Sequence, residues 1–195
     1  MFFLYLRRKF IEVMHRFIIL FLTILTFQSS YSQIDSDVRV ALQYFQAGEF
    51  QKASVEYTKL LNSTGAFVYL EYLVQCYINL EQFEEAEKTI KKKAKQNTED
   101  LTYYVMLSDL YKKQNNVKKT QETNEYILKK LPPNQTKIFQ VGSMFERYRE
   151  FEMAIAVYQK GKTLVGDQYS FHNELANVYQ YQRKYQEMVD EYIAL

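Results

Sequence analysis

The residues able to carry chemistry are few and scattered. The chain has one cysteine, Cys76, and past residue 32 one histidine, His172. A single cysteine cannot close an intrachain disulfide, and neither residue has a second His or Cys with which to share a metal. Cys76 falls on an apolar helical pattern with Leu73 and Tyr77 and reads as a buried structural thiol. His172 stands where a large core residue is expected. Gly48, Gly65, Gly142, Gly161 and Gly166 are dispersed and form no phosphate-cradling loop. Glu84, Glu85 and Glu187 sit at helix openings, where carboxylates suit the macrodipole rather than acid–base catalysis. No catalytic residue, cofactor or metal is expected, and the chain reads as a non-enzyme.

The densest charge signal is Lys88, Lys91, Lys92, Lys93 and Lys95. It lies near the end of a predicted helix, where cations favour the dipole. Glu84 and Glu87 are the expected i, i+4 partners of Lys88 and Lys91. The run reads as a solvated outer face, with weak contact to an acidic envelope surface as the second reading. Asn62-Ser63-Thr64 and Asn134-Gln135-Thr136 match the glycosylation acceptor pattern, which acts only in a eukaryotic secretory pathway.

The elements that position these residues are helices. Five Gly and two Pro in 195 residues, with 47% apolar content, exclude a loop-rich or all-β chain. From Ile138 to Lys160 the pattern is clearest. Ile138, Val141, Gly142 and Phe145 form one apolar stripe; after a polar turn it restarts as Phe151, Ala154, Ile155 and Tyr158. Gly142 and Ala154 are small residues on bulky stripes, so two helices can approach closely there. Equivalent units centre on Ala53, Ala86, Thr120, Ala154 and Met188, at spacings of 33, 34, 34 and 34. An aromatic recurs in every first helix: Tyr44, Tyr77, Tyr111, Phe145 and Tyr179. Second helices open on Phe50, Phe83, Val117, Phe151 and Tyr185, and carry an anchor at Tyr57, Ile90, Asn124, Tyr158 or Tyr192.

A period of 34 with a helix-turn-helix unit resembles the tetratricopeptide repeat (TPR) family. The resemblance covers about Asp35 to Leu195 and implies an all-α, right-handed α-solenoid with a concave face. The repeats are expected at 34–67, 68–100, 101–134, 135–168 and 169–195, the last incomplete. Their helices are expected at 35–47 and 50–62, 68–80 and 83–96, 101–114 and 117–130, 135–148 and 151–164, and 169–182 and 185–195. The third is expected to be soft, because Thr120 and Asn124 are polar where Ala and an aromatic are usual.

The family binds protein segments in the groove of its first helices, so the resemblance implies a partner there. The matching positions are Val38, Leu42 and Phe45; Glu71, Gln75 and Asn79; Val105, Asp109 and Lys112. They continue as Phe139, Ser143, Glu146 and Arg147, then Asn173, Asn177, Gln180 and Tyr181. Amides and rings of no single charge sign suit an extended peptide. Val38 and Leu42 replace the Lys and Asn of carboxylate-clamp members. The function expected is a protein-interaction scaffold, with a periplasmic sensor region of an envelope signalling protein as the alternative.

Residues 1–32 read as a secretory leader. Phe17–Phe27 is an uncharged apolar run too short for a bilayer span, which needs about 20 residues, and fits a signal-peptide core. Cleavage is expected after Ser32, and Met14 is a possible true start. The absence of a cysteine there argues against a lipoprotein, and no stable membrane span follows cleavage. The leader takes Arg7, Arg8, Lys9, Arg16 and Glu12 with it; 25 basic and 23 acidic residues become 21 and 22, a net charge of −1. Nothing in that balance calls for nucleic acid. The expected location is the periplasm or the cell exterior. At the other end, Met188, Val189, Tyr192 and Leu195 form an apolar stripe without a polar cap. The sequence is therefore expected to be the N-terminal part of a larger protein, with self-association through that face.

Overall fold

The computed structural model describes Met14, 35–166 and 171–194. Apart from Met14, the leader lies outside the described residues, as does Leu195. The described chain is all-α: a helical repeat without strands among those residues. Helix α1 is described over 35–46. It is followed by α2 (Phe50–Thr64), α3 (Phe67–Asn79), α4 (Phe83–Gln96), α5 (Thr102–Lys113) and α6 (Val117–Lys130). Then come α7 (Gln135–Arg147), α8 (Phe151–Val165), α9 (His172–Tyr181) and α10 (Tyr185–Ile193). Every expected helix is present, with ends displaced by no more than a turn.

The helix turns share one geometry. Gly48, Glu81, Asn115, Arg149 and Arg183 all take positive φ, between 55° and 75°. Four of these residues are not glycine, so four of the five turns hold a side chain in the left-handed region. In four of the turns the next N–H donates back to the carbonyl of the recurrent aromatic. Glu49 donates to Tyr44, Asn116 to Tyr111, Glu150 to Phe145 and Lys184 to Tyr179. These bonds satisfy carbonyls that a helix end leaves orphaned. The residue just before each second helix (Glu49, Gln82, Asn116, Glu150 or Lys184) then supplies the carbonyl for Ala53, Ala86, Thr120, Ala154 or Met188. The 34-residue period therefore fixes backbone hydrogen bonding as well as side-chain pattern.

The chain forms two compact units, one ending at Leu80 and the other starting at Glu81. In the first, α2 packs on α3. Its core holds Ala41, Ala53, Tyr57, Leu60, Leu70, Leu73 and Cys76, all at most 2% exposed. Tyr57 stacks on Tyr72 at 4.8 Å between ring centroids, and Phe45 meets Tyr72 edge-on at 5.3 Å. Burial pushes the Cys76 thiol up to about 11, which keeps it protonated and inert.

In the second unit α4 packs on α5, α5 on α6, α7 on α8 and α9 on α10. α5 also meets α7, and α6 meets α8, so first helices neighbour first helices and second neighbour second. The α7–α8 crossing depends on two glycines. A Cβ at Gly142 would lie 2.4 Å from Tyr158 Cε1 and Cζ, and one at Gly161 would lie 2.6 Å from Ile138 Cγ2 and 2.9 Å from Phe171 Cε2. The close neighbour of Gly142 is thus Tyr158, one turn beyond the Ala154 expected from the pattern. The third repeat fills its crossing differently: Ser108 Oγ donates to Asn124 Oδ1 at 2.5 Å. The expected Lys91–Glu87 pair forms, but Lys88 pairs with Glu85 rather than Glu84. The i, i+3 geometry serves Lys88 because the Glu85 side chain lies on the same strip of helix surface.

Candidate partner-binding surface

The outward sides of the first helices follow from what those helices bury. On α5, Tyr103, Val105, Met106, Leu107, Leu110 and Tyr111 face the interior. Val105 is fully buried, so it does not line a surface as the repeat pattern implied. Packed against α4, α6 and α7, this helix has apolar contacts on most of its circumference, which the family register does not show. Asp109 and Lys112 remain on the outer side, both engaged. Lys113 Nζ donates to Asp109 Oδ2 at 2.8 Å. Burial pushes the Asp109 carboxyl above its ordinary range, against the opposing pull of Lys113. Lys112 Nζ reaches Glu150 Oε1 at 2.5 Å and so ties the end of α5 to the α7–α8 turn. Beside this bridge is a cavity of about 260 Å³, lined by Lys112, Asn115, Val117, Thr120, Gln121 and Glu150.

On α7, Phe139 is 46% exposed although Ile138, Val141, Met144 and Phe145 are buried. Ser143 is half-buried, and its hydroxyl donates to the Gln140 carbonyl at 3.2 Å. The Arg147 guanidinium lies 5.9 Å from the Tyr148 ring centroid. Glu146 accepts a hydrogen bond from the buried Tyr158 hydroxyl at 2.5 Å. Burial raises the Glu146 carboxyl, the Tyr158 bond opposes that, and the nearby charge of Glu174 adds to it. Burial and the same carboxylate raise the Tyr158 hydroxyl too, so it acts as a fixed donor.

On α9, Asn173, Asn177 and Gln180 are exposed. Tyr181 is 72% exposed. Its ring is nonetheless held, stacked on Phe151 at 5.8 Å with 5° between planes. In the first unit, Leu42, Phe45, Glu71 and Gln75 are half-buried and Asn79 is exposed. Phe45 is committed to the ring cluster, and Asn79 Nδ2 donates to the Gln75 carbonyl at 2.7 Å.

Sequence reasoning missed one polar cluster. His172 is buried, as expected, yet it is hydrogen-bonded through Nδ1 to Glu191 Oε2. Lys162 Nζ stands 3.3 Å from the same carboxylate oxygen. The three residues lie on α9, α10 and α8, so the cluster ties the final helix to the one before its own pair. The matching sequence positions carry no common signal. On α10 itself no residue is buried, and Tyr185, Val189, Tyr192 and Ile193 are exposed.

No protein-family model matches the chain. No curated protein matches it either. Among solved structures the chain is similar to MamA from Desulfovibrio magneticus, at 12% identity over 83% of this chain and 92% of that one, with a TM-score of 0.42. It is similar to a thermophilic TPR protein of Thermus thermophilus, at 17% identity, 83% and 89% coverage and a TM-score of 0.42. A third is the TPR2AB domain of yeast Sti1 in its pHSP90 complex, at 13% identity, 82% and 75% coverage and a TM-score of 0.44. The helix-pair repeat of this chain rests on its own spacing, turns and packing.

Proposed function

We propose that the chain is a non-enzymatic scaffold that holds an extended peptide or protein segment along the outward sides of its first helices. The observation that carries this reading is the exposure of Phe139 and Tyr181 among amide side chains on helices whose other apolar residues are buried. The Tyr181 ring, held on Phe151, offers apolar contact at little entropic cost, Phe139 adds exposed apolar surface, and Asn173, Asn177 and Gln180 offer bonds to a peptide backbone. Lys112 and Glu150 already satisfy one another, so charge is a weaker source of recognition here than stacking. The test is affinity capture from envelope extracts with residues 33–195 as bait, beside Phe139→Ala/Tyr181→Ala. A partner retained by the parent and lost by the variant at unchanged melting temperature is expected. Identical capture by both would overturn the site.

The leader supports a second part of the same reading, export of a mature chain that begins at Gln33. N-terminal sequencing of the cellular protein tests this; a retained Phe17–Phe27 segment would overturn it.

A further inference from the structure

Lysines gather at one rim of the second unit. α4 and α6 each pack on α5 and run opposite to it, so they run parallel to one another, and two ion pairs agree with this. Near their starts, Lys119 Nζ reaches Glu87 Oε2 at 3.2 Å. Past their ends, Lys137 Nζ reaches Glu99 Oε2 at 2.9 Å, which joins the first turn of α7 to the α4–α5 turn. The final turns of α4 and α6 therefore lie at the same end of the unit. They and the residue before them hold Lys92, Lys93 and Lys95 on α4, and Lys129 and Lys130 on α6. Helix α8 packs beside α6 and carries the exposed Lys160 in its second half.

These cations are not neutralised by the protein. Among the described residues no carboxylate pairs with Lys92, Lys93, Lys95, Lys129, Lys130 or Lys160, whereas lysines elsewhere on the unit are paired. The acids nearest the rim are engaged. Glu99 is held by Lys137, and Asp100 accepts from the Thr102 amide and hydroxyl. Glu125, exposed one turn before Lys129, forms no ion pair with it. Helix dipoles favour cations in a last turn, which explains why the helices tolerate them, but partial charges on carbonyls leave the net positive charge in place.

We infer that this rim is a docking surface for an anionic lipid bilayer. Charge complementarity is the first argument. The second is the residue type: every cation at the rim is Lys, a hydrated point charge suited to a diffuse layer of headgroups. Base recognition draws on bidentate Arg and on free stacking rings; the cations here are all Lys, and the ring nearest them, Tyr126, is already packed on Tyr104 at 4.6 Å between centroids. The rim lies at helix ends, apart from the outward sides of the first helices, so membrane docking and peptide holding are independent.

The test is co-sedimentation of the full chain with phosphatidylcholine vesicles and with vesicles that also contain phosphatidylglycerol. Binding to the anionic vesicles alone, weakened by added salt, is expected. Lys92→Glu/Lys95→Glu/Lys129→Glu/Lys130→Glu should weaken it by about tenfold or more at unchanged helix content, since each lysine contributes to the attraction. Lys118→Glu, at the opposite end of α6, should leave it unchanged. Equal binding to neutral vesicles would assign the affinity to the apolar run and overturn the inference. So would a charge-reversed variant that binds like the parent, or a parent that binds duplex DNA and no vesicle. Should the reversed variant fail to fold, salt dependence decides: parent binding unmoved by salt overturns the proposal.

Discussion

The third and fourth helix pairs share one layout and solve its central contact in opposite ways. In both, a residue of the first helix meets the residue sixteen positions later on the second. In α7 and α8 the contact is Gly142 under the ring of Tyr158. In α5 and α6 it is a hydroxyl against an amide, Ser108 on Asn124. The consequences extend along each second helix. α8 buries Ala154, Ile155, Val157, Tyr158 and Gly161, while α6 buries only Ile127. The repeat geometry thus specifies a contact of a given size between two helices, and either dispersion or one directional bond can supply it. The directional version comes with fewer buried residues on its second helix.

The largest predicted difference comes from adding bulk. Gly142→Leu should cost about 3 kcal/mol, because the Tyr158 ring is fully buried against Phe171 and cannot withdraw. The same substitution at Ser108 faces a shorter side chain and should cost about half as much. Urea unfolding of both variants checks the ranking through the midpoint at constant slope. Equal losses would mean that the two crossings are equally tight.

The second prediction removes the directional bond. Asn124→Leu leaves a buried Ser108 hydroxyl without its acceptor and should cost about 1–3 kcal/mol. Adding Ser108→Ala should recover part of that loss, so the two changes are non-additive. Neither should alter hydrogen-exchange protection of α8. Simple additivity would show that the Ser108–Asn124 bond contributes nothing to α6.

The helices, their order and most of their ends were legible in the sequence, because one apolar stripe and one aromatic recur at a fixed period. Tyr57, Ile90 and Tyr158 were legible as anchors for the same reason. The partner of Gly142 was displaced by a turn, since side chains on facing helices lean along their axes and spacing alone does not reveal the lean. The Ser108–Asn124 bond was not legible. Each residue alone looks like a defect in the pattern, and only the three-dimensional contact shows that the two defects match. The cluster of His172, Glu191 and Lys162 was hidden likewise, being assembled from three helices. On the candidate surface, side-chain engagement was the missing information: Asp109, Lys112 and Phe45 occupy the expected register but already have partners.

The smallest predicted effect concerns two carboxylates with opposite pH signs. Burial alone would raise Glu87, but hydrogen bonds from Lys91, Tyr111 and Lys119 outweigh it and hold the carboxyl below its ordinary range. Its contribution is present above the ordinary carboxylate range and is lost as pH falls through the lowered value. Glu146 is raised, so the native state holds its proton longer than the unfolded chain does. That group costs stability as pH rises from the ordinary value through the raised one. Glu87→Gln should therefore lower the melting temperature at neutral pH and have little effect in acid. Glu146→Gln keeps an acceptor for Tyr158 and should raise it slightly at neutral pH. Both effects should be under about 1 kcal/mol, as both carboxylates are only half-buried and keep part of their solvent screening. Melting curves across pH decide; two shifts of the same sign would show that Glu146 is not disfavoured by its surroundings.

The left-handed residues at Asn115, Arg149 and Arg183 recur every 34 positions. Each ends one helix and aims the next back along it, so a hairpin is complete as soon as one period of chain exists. At about 5–20 residues per second, a ribosome releases such a period in roughly 2–7 s. Helix formation takes on the order of a microsecond. During synthesis, each new hairpin therefore has time to close before the next is finished. At any moment the growing chain presents about one unit's worth of unmatched apolar stripe to its surroundings, and translation itself spaces out the periods of greatest aggregation risk.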